Sequence, residues 1–137
     1  MTTLDATVHA EAIKTAITAH LGGSQAYNSD EVPGTNGNDG TVPDRYAEVS
    51  VELEQPDPTG RRMGGQTAVR NWIATVTGVG RNVGEARWVL ARVADALYER
   101  TLTVEGVTTE PLVLQESRDP EYDTDRYSGI AVYTYGH

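Results

Sequence analysis

Three groups of residues have types and spacings that could do chemistry. The first is a glycine turn, Gly78-x-Gly80-x-x-x-Gly84, between a strand-like run and a helix-like run. Glycines in that setting let backbone approach a pyrophosphate and aim a helix N-terminus at it. The dinucleotide spacing is Gly-x-Gly-x-x-Gly, however, and Val83 stands where its third glycine belongs. An acid from Glu99 to Glu105 would have to meet the ribose, and a Rossmann half needs repeated βαβ units, which this order of elements does not offer. The second group is the alternating run Asp119, Glu121, Asp123 and Asp125, which has the early ligand spacing of a calcium loop. Thr124 replaces the glycine of such a loop, Ile130 replaces its closing glutamate, and Pro120 interrupts it. A solvated acidic loop over Ser117–Asp125 is therefore expected. The third group is His9, His20 and His137. His9 and His20 lie on one helix at a spacing unsuited to chelation, with no His-Glu-x-x-His pattern, so no metal site is expected. There is no cysteine and no Gly-x-Ser-x-Gly elbow. Glu48, Glu52 and Glu54 share one strand face and read as a wetted surface. No catalytic residue, cofactor or metal is assigned, and the chain reads as something other than an enzyme.

Binding by surface is what remains. Trp88 falls roughly opposite the apolar stripe of its helix, beside Ala91, Arg92 and Asp95. A large aromatic on a wet face is the kind of side chain that anchors interfaces. Arg61-Arg62 is the densest positive spot in an acidic chain, and a tyrosine row ends the sequence. The candidate interface residues are Trp88, Arg92, Arg61, Arg62, Tyr133 and Tyr135.

The elements that must position these groups follow from periodicity. Asn82 with Glu85 has capping-box spacing and opens a helix over 82–99. Val83, Ala86, Leu90, Val93, Ala94 and Leu97 share its inner face. A first helix spans Asp5–Leu21, striped by Ala6, Ala10, Ile13, Ala16, Ile17 and Leu21 and ended by Gly22-Gly23. Its stripe is thin in large side chains, so it packs loosely or lies on a neighbouring subunit. The stretch 23–44 is rich in turn formers and lacks alternation, which reads as a long flexible loop. Tyr46–Glu54 alternates cleanly, with Ala47, Val49, Val51 and Leu53 inward. Thr67–Val79 is apolar on both faces, as expected of a central strand or one partly covered by another chain. Strand-like runs follow at Thr101–Val104, Pro111–Gln115 and Arg126–Tyr135. The order α-β-β-α-β-β-β predicts an α+β fold, a mostly antiparallel sheet covered by one main helix.

Bulk properties agree with one domain over 1–137. Phenylalanine is absent, so seven tyrosines and two tryptophans must supply the aromatic core. The net charge of −9 disfavours gripping a phosphate backbone. No apolar run is long enough to span a bilayer, and the first residues carry no secretory pattern.

The run NWIATVTGVGRN, the helix VGEARWVLARVADALYE, then RTLTVEGVTTEPLVL and DPEYDTDRYSGIAVYTY together resemble the tail terminator proteins of long-tailed bacteriophages, especially those of actinobacterial hosts. The resemblance covers the second half well and the first half loosely. It implies a small α+β virion subunit that closes into a homo-oligomeric, six-membered ring. Such a ring caps the tail tube, ends its polymerisation and meets the head connector. The implied partners are copies of itself, the major tail tube protein and the head–tail connector or stopper. Neither a membrane nor a specific nucleic-acid sequence is involved, and DNA passes through the lumen. The implied place is the virion, at the head–tail interface, after assembly in the host cytoplasm. The alternatives are another head–tail joining or stopper protein, or a small nucleotide- or ligand-binding domain using the Gly78–Gly84 turn.

Overall fold

The computed structural model of the chain describes residues 4–54 and 70–137. Helix α1 (Ala6–Thr18) is followed by β1 (Ala26–Asn28), β2 (Arg45–Leu53) and β3 (Asn71–Gly80). Helix α2 (Val83–Leu97) comes next, then a small hairpin of β4 (Thr103–Val104) and β5 (Val107–Thr108), then β6 (Val113–Asp123) and β7 (Arg126–Gly136). The main sheet has the order β1-β2-β3-β7-β6 and is antiparallel apart from the β1–β2 pair. Both helices pack on one face of it. The expected α+β fold is present, with the short strands β1 and β5 added to the expected order.

Alternation decides which residues face the helices. In β2, Ala47 and Val49 are buried and Val51 and Leu53 pack against the core, while Ser50 and Glu52 are exposed. In β3 the inward set is Trp72, Ala74 and Val76, and in β7 it is Ala131, Tyr133 and Tyr135. Trp72 and Tyr133 are the largest fully buried side chains, which is how a core without phenylalanine obtains its volume.

Helix α2 begins as its sequence dictates. Asn82 Oδ1 accepts from Glu85 N at 2.9 Å, and Glu85 Oε2 reaches back to accept from Arg81 N at 3.2 Å. The first turn thereby satisfies donors that helix geometry leaves orphaned. The buried face is turned from the expected one. Ala86, Val89, Val93, Ala96 and Leu97 are buried, whereas Leu90 is only half-buried. Leu90 instead lies over glycines: a Cβ on Gly78 would sit 2.7 Å from Leu90 Cγ, and one on Gly129 would sit 2.8 Å from Leu90 Cδ1. A Cβ on Gly80 would meet Ala86 N at 2.6 Å. Glycine here permits a close helix–sheet approach.

Helix α1 ends at Thr18, short of the expected Leu21. Tight i→i−3 bonds, His20 N to Ile17 O at 2.9 Å and Leu21 N to Thr18 O at 3.2 Å, reverse the chain while keeping Leu21 in the core. Asp5 Oδ1 caps the helix by accepting from Thr7 N at 2.9 Å. Its stripe (Ala10, Ile13, Ile17) packs on β1, β2 and α2 of its own chain, so a neighbouring subunit is not needed to cover it.

The stretch 23–44, expected to lack regular structure, contains β1, which pairs parallel with β2. The remainder crosses to the other face of the sheet. There Val32 is fully buried against Tyr46 and Val79, with Tyr27 and Val42 alongside. Thr35 N, Thr35 Oγ1 and Asn38 Nδ2 all donate to Val32 O.

The expected acidic loop Ser117–Asp125 is instead most of β6 and its turn. The strand runs at the sheet's edge with register shifts between Leu114 and Glu116 and between Arg118 and Glu121. Pro120 sits in the second irregularity, where a missing N–H is tolerated. Thr124 and Asp125, at φ of 44° and 69°, make the turn into β7. The β4–β5 turn, Glu105-Gly106, has the same left-handed character.

Placing a methyl group at Gly80 forces α2 away from β3. We expect Gly80→Ala to lose about 1–3 kcal/mol in urea unfolding. Unchanged stability would show that the contact is slack.

Candidate functional site

The arginines around α2 are arranged in pairs, with one exception. Arg87 forks onto Asp119, with Nε and Nη2 donating at 2.9 and 2.6 Å, and so ties the helix to edge strand β6. The guanidinium holds the Asp119 carboxyl below its ordinary range. Arg81 bonds Glu85 at 2.9 Å and lies 3.6 Å from Asp44, and it likewise lowers Glu85. Arg92 lies 3.5 Å from Asp95. Arg45 is the exception. It rises from β2 and stacks its guanidinium 3.7 Å above the Trp88 ring, with Arg92 at 5.9 Å, and it forms no salt bridge among the described residues. Such cation–π contacts contribute about 0.5–1 kcal/mol at exposed sites. Trp88 is therefore not a free aromatic on a wet face. It is half-buried, touches the core, and presents its outer surface under two arginines.

Of the other expected interface residues, Tyr133 and Tyr135 are 1% and 4% exposed and belong to the core, so as placed they offer no surface. Arg61 and Arg62 lie outside the described residues.

The opposite face of the sheet carries no helix among the described residues. The pairing register sets out its rows: Glu52–Ile73–Thr134–Val113, Ser50–Thr75–Val132–Glu116 and Glu48–Thr77–Ile130–Arg118. Ile73, Ile130 and Val132 are half-buried and Val113 is 51% exposed. This is the two-sided apolarity expected of β3. The 29–44 segment covers only the corner at Tyr46 and Val79.

A third feature escaped the sequence reading. His9 and His137, 128 positions apart, meet in the core. His9 stacks on Trp72 with ring centroids 3.8 Å apart and meets His137 edge-on at 4.7 Å. His9 Nδ1 and the Tyr135 hydroxyl share a hydrogen bond of 2.8 Å, and His137 Nε2 donates to Val104 O at 3.2 Å. The cluster joins α1, β3, β4 and the end of β7. Only the placement of His9 next to the α1 stripe hinted at it.

The chemistry weighed at the outset finds no support in the geometry. Gly78 and Gly80 face α2, where an added Cβ would meet Leu90, Ala86 and Glu85, so these glycines serve the close helix–sheet packing. The acids from Asp119 to Asp125 are spread along an edge strand and its turn. Among the described residues no group of three or more acidic or histidine side chains is placed to hold a metal ion. No described helix is long and apolar enough to cross a membrane.

Comparison with solved structures adds the fold's relations. One match is a chain from the "Virion of native gene transfer agent (GTA) particle", with a TM-score of 0.64, 15% identity, and coverage of 92% of this chain and 91% of that one. A second solved chain, which carries no functional name, matches with a TM-score of 0.59 and 13% identity over 95% of this chain and 90% of its own. The likeness is one of fold. No family model matches the chain, and no curated protein matches it in sequence.

Burial raises the Tyr135 phenol well above its ordinary value near 10. The unfolded chain therefore releases this proton first, so the stabilisation is complete below pH 10 and declines above it. The decline is at most about 1.4 kcal/mol per pH unit for one group. Tyr135→Phe should cost about 1–3 kcal/mol at neutral pH by leaving His9 Nδ1 without its partner. It should also flatten the alkaline decline in melting temperature, with Tyr46 and Tyr133, both raised by burial, supplying what remains. An alkaline decline identical to that of the parent chain would contradict this.

Proposed function

We propose that the chain is a non-enzymatic structural component of a phage-type virion, working as a tail terminator. In this reading, copies close into a ring at the head–tail joint, cap the tail tube, end its growth and present the connector with a docking surface. The observation that carries the reading is the agreement in fold, over nine-tenths of both chains, with a subunit of a gene transfer agent virion. Three features of the chain support it. One sheet face lacks a helix to cover it among the described residues. An aromatic–arginine patch sits on the other side. The glycines of the turn pack closely under the chain's own helix. The work such a subunit does is surface complementarity, whose specificity comes from matched charge and shape. A head–tail joining or stopper protein is the nearest rival, because it would share both the fold and the absence of an active site.

The test is tube growth. Tail-tube protein is allowed to polymerise with and without this chain, and tube lengths are measured by electron microscopy. A terminator shortens the tubes and decorates one end with a ring. Tubes of unchanged length with bare ends would contradict the reading, and binding to the connector alone would favour the joining-protein rival.

A further inference from the structure

Two patches of opposite character lie on opposite sides of the sheet. On the open face, Ile73, Ile130 and Val132 form a half-buried apolar strip bordered along β2 by Glu48 and Glu52. Glu48 is itself half-buried and has no cationic partner among the described residues. Burial pushes its carboxyl above the ordinary range. A carboxylate withdrawn from water without a counter-charge is unfavourable until something cationic arrives. On the helix side, Trp88 carries Arg45 at 3.7 Å and Arg92 at 5.9 Å; the charge of Arg45 acts on Glu85, but it forms no salt bridge among the described residues. The Arg92–Asp95 pair is exposed, and such pairs contribute little, so exchanging it for another carboxylate costs little.

The patches match each other in kind. One offers apolar side chains edged by carboxylates, and the other an aromatic edged by guanidiniums. We propose that the open sheet face receives the α2 surface of a second copy of this chain, with Glu48 and Glu52 meeting Arg45 and Arg92 around Trp88. The two patches differ and face opposite ways, so the contact is heterologous. Each added copy leaves one patch of each kind free at the ends, and the series either closes into a ring or continues as a filament. The inference rests on the assembly reading above and names the contact that would build it.

Charge exchange tests it. The sheet-face variant Glu48→Arg/Glu52→Arg and the helix-face variant Arg45→Glu/Arg92→Glu are each sized by light scattering, alone and mixed. Thermal melts confirm that they fold, and Arg92→Glu alone replaces the double variant if Arg45→Glu does not. The wild-type chain should associate. Each variant alone should associate about tenfold more weakly or worse, because like charges now face each other. The equimolar mixture should recover association, since every contact again pairs unlike charges. A wild-type chain that stays a single copy, a variant that associates like wild type, or a mixture that fails to recover would each overturn the proposal. Tube termination is scored separately, so a terminator that assembles through another face would still shorten tubes while failing here.

Discussion

Close contact between α2 and the glycines of β3 and β7 sets the terms for the rest of the molecule. Gly78, Gly80 and Gly129 have no side chains, so Leu90 and Ala86 descend to distances that a Cβ would forbid. That approach commits α2 to one face of the sheet. Helix α1 fills the remaining area of the same face over β1 and β2. The chain has no third helix among its described residues, and the other face is left with one corner covered by Val32. The unpaired apolar strip, the partnerless Glu48 and the arginine-capped Trp88 on the far side all follow from that one-sided arrangement.

The same contact explains why a nucleotide motif can be written in the sequence and yet not be built. Glycines after a strand and before a helix serve two physical ends: admitting a phosphate, or admitting the helix itself. The spacing is nearly the same in both cases. Here the glycines admit the helix: a Cβ on Gly80 would meet Ala86 N and Glu85 Cβ, each at 2.6 Å. One first-turn donor of α2, Glu85 N, is engaged by the Asn82 side chain, and the Glu85 carboxylate is turned back to Arg81.

Local signals in the sequence predicted local structure well. The Asn82–Glu85 cap and the alternation of β2 each depend on neighbours within a few residues, and each is legible. Strand β6 is legible only at its start, in the run Pro111–Gln115, because an exposed edge strand with two irregularities has no buried face to imprint alternation on the rest of its sequence. Leu90 misled the helical wheel because it packs on glycine at the border of the stripe rather than within it, which also placed Trp88 too far toward water. The histidines were illegible for a different reason. His9 and His137 are joined only by topology, through Trp72 and Tyr135, and no spacing rule spans such a separation. The tyrosine row was assigned to the surface on residue type, but parity put Tyr133 and Tyr135 under the helices.

The most direct measurement is a cryo-electron microscopy structure of the chain mixed with tail tubes. The expected map shows a closed ring in which Trp88 and Arg45 of one copy lie against Ile73 and Val132 of the next, with Glu48 within salt-bridge distance of an arginine. A map in which the open sheet face points to solvent, or in which the chain is absent from the tail end, would contradict it.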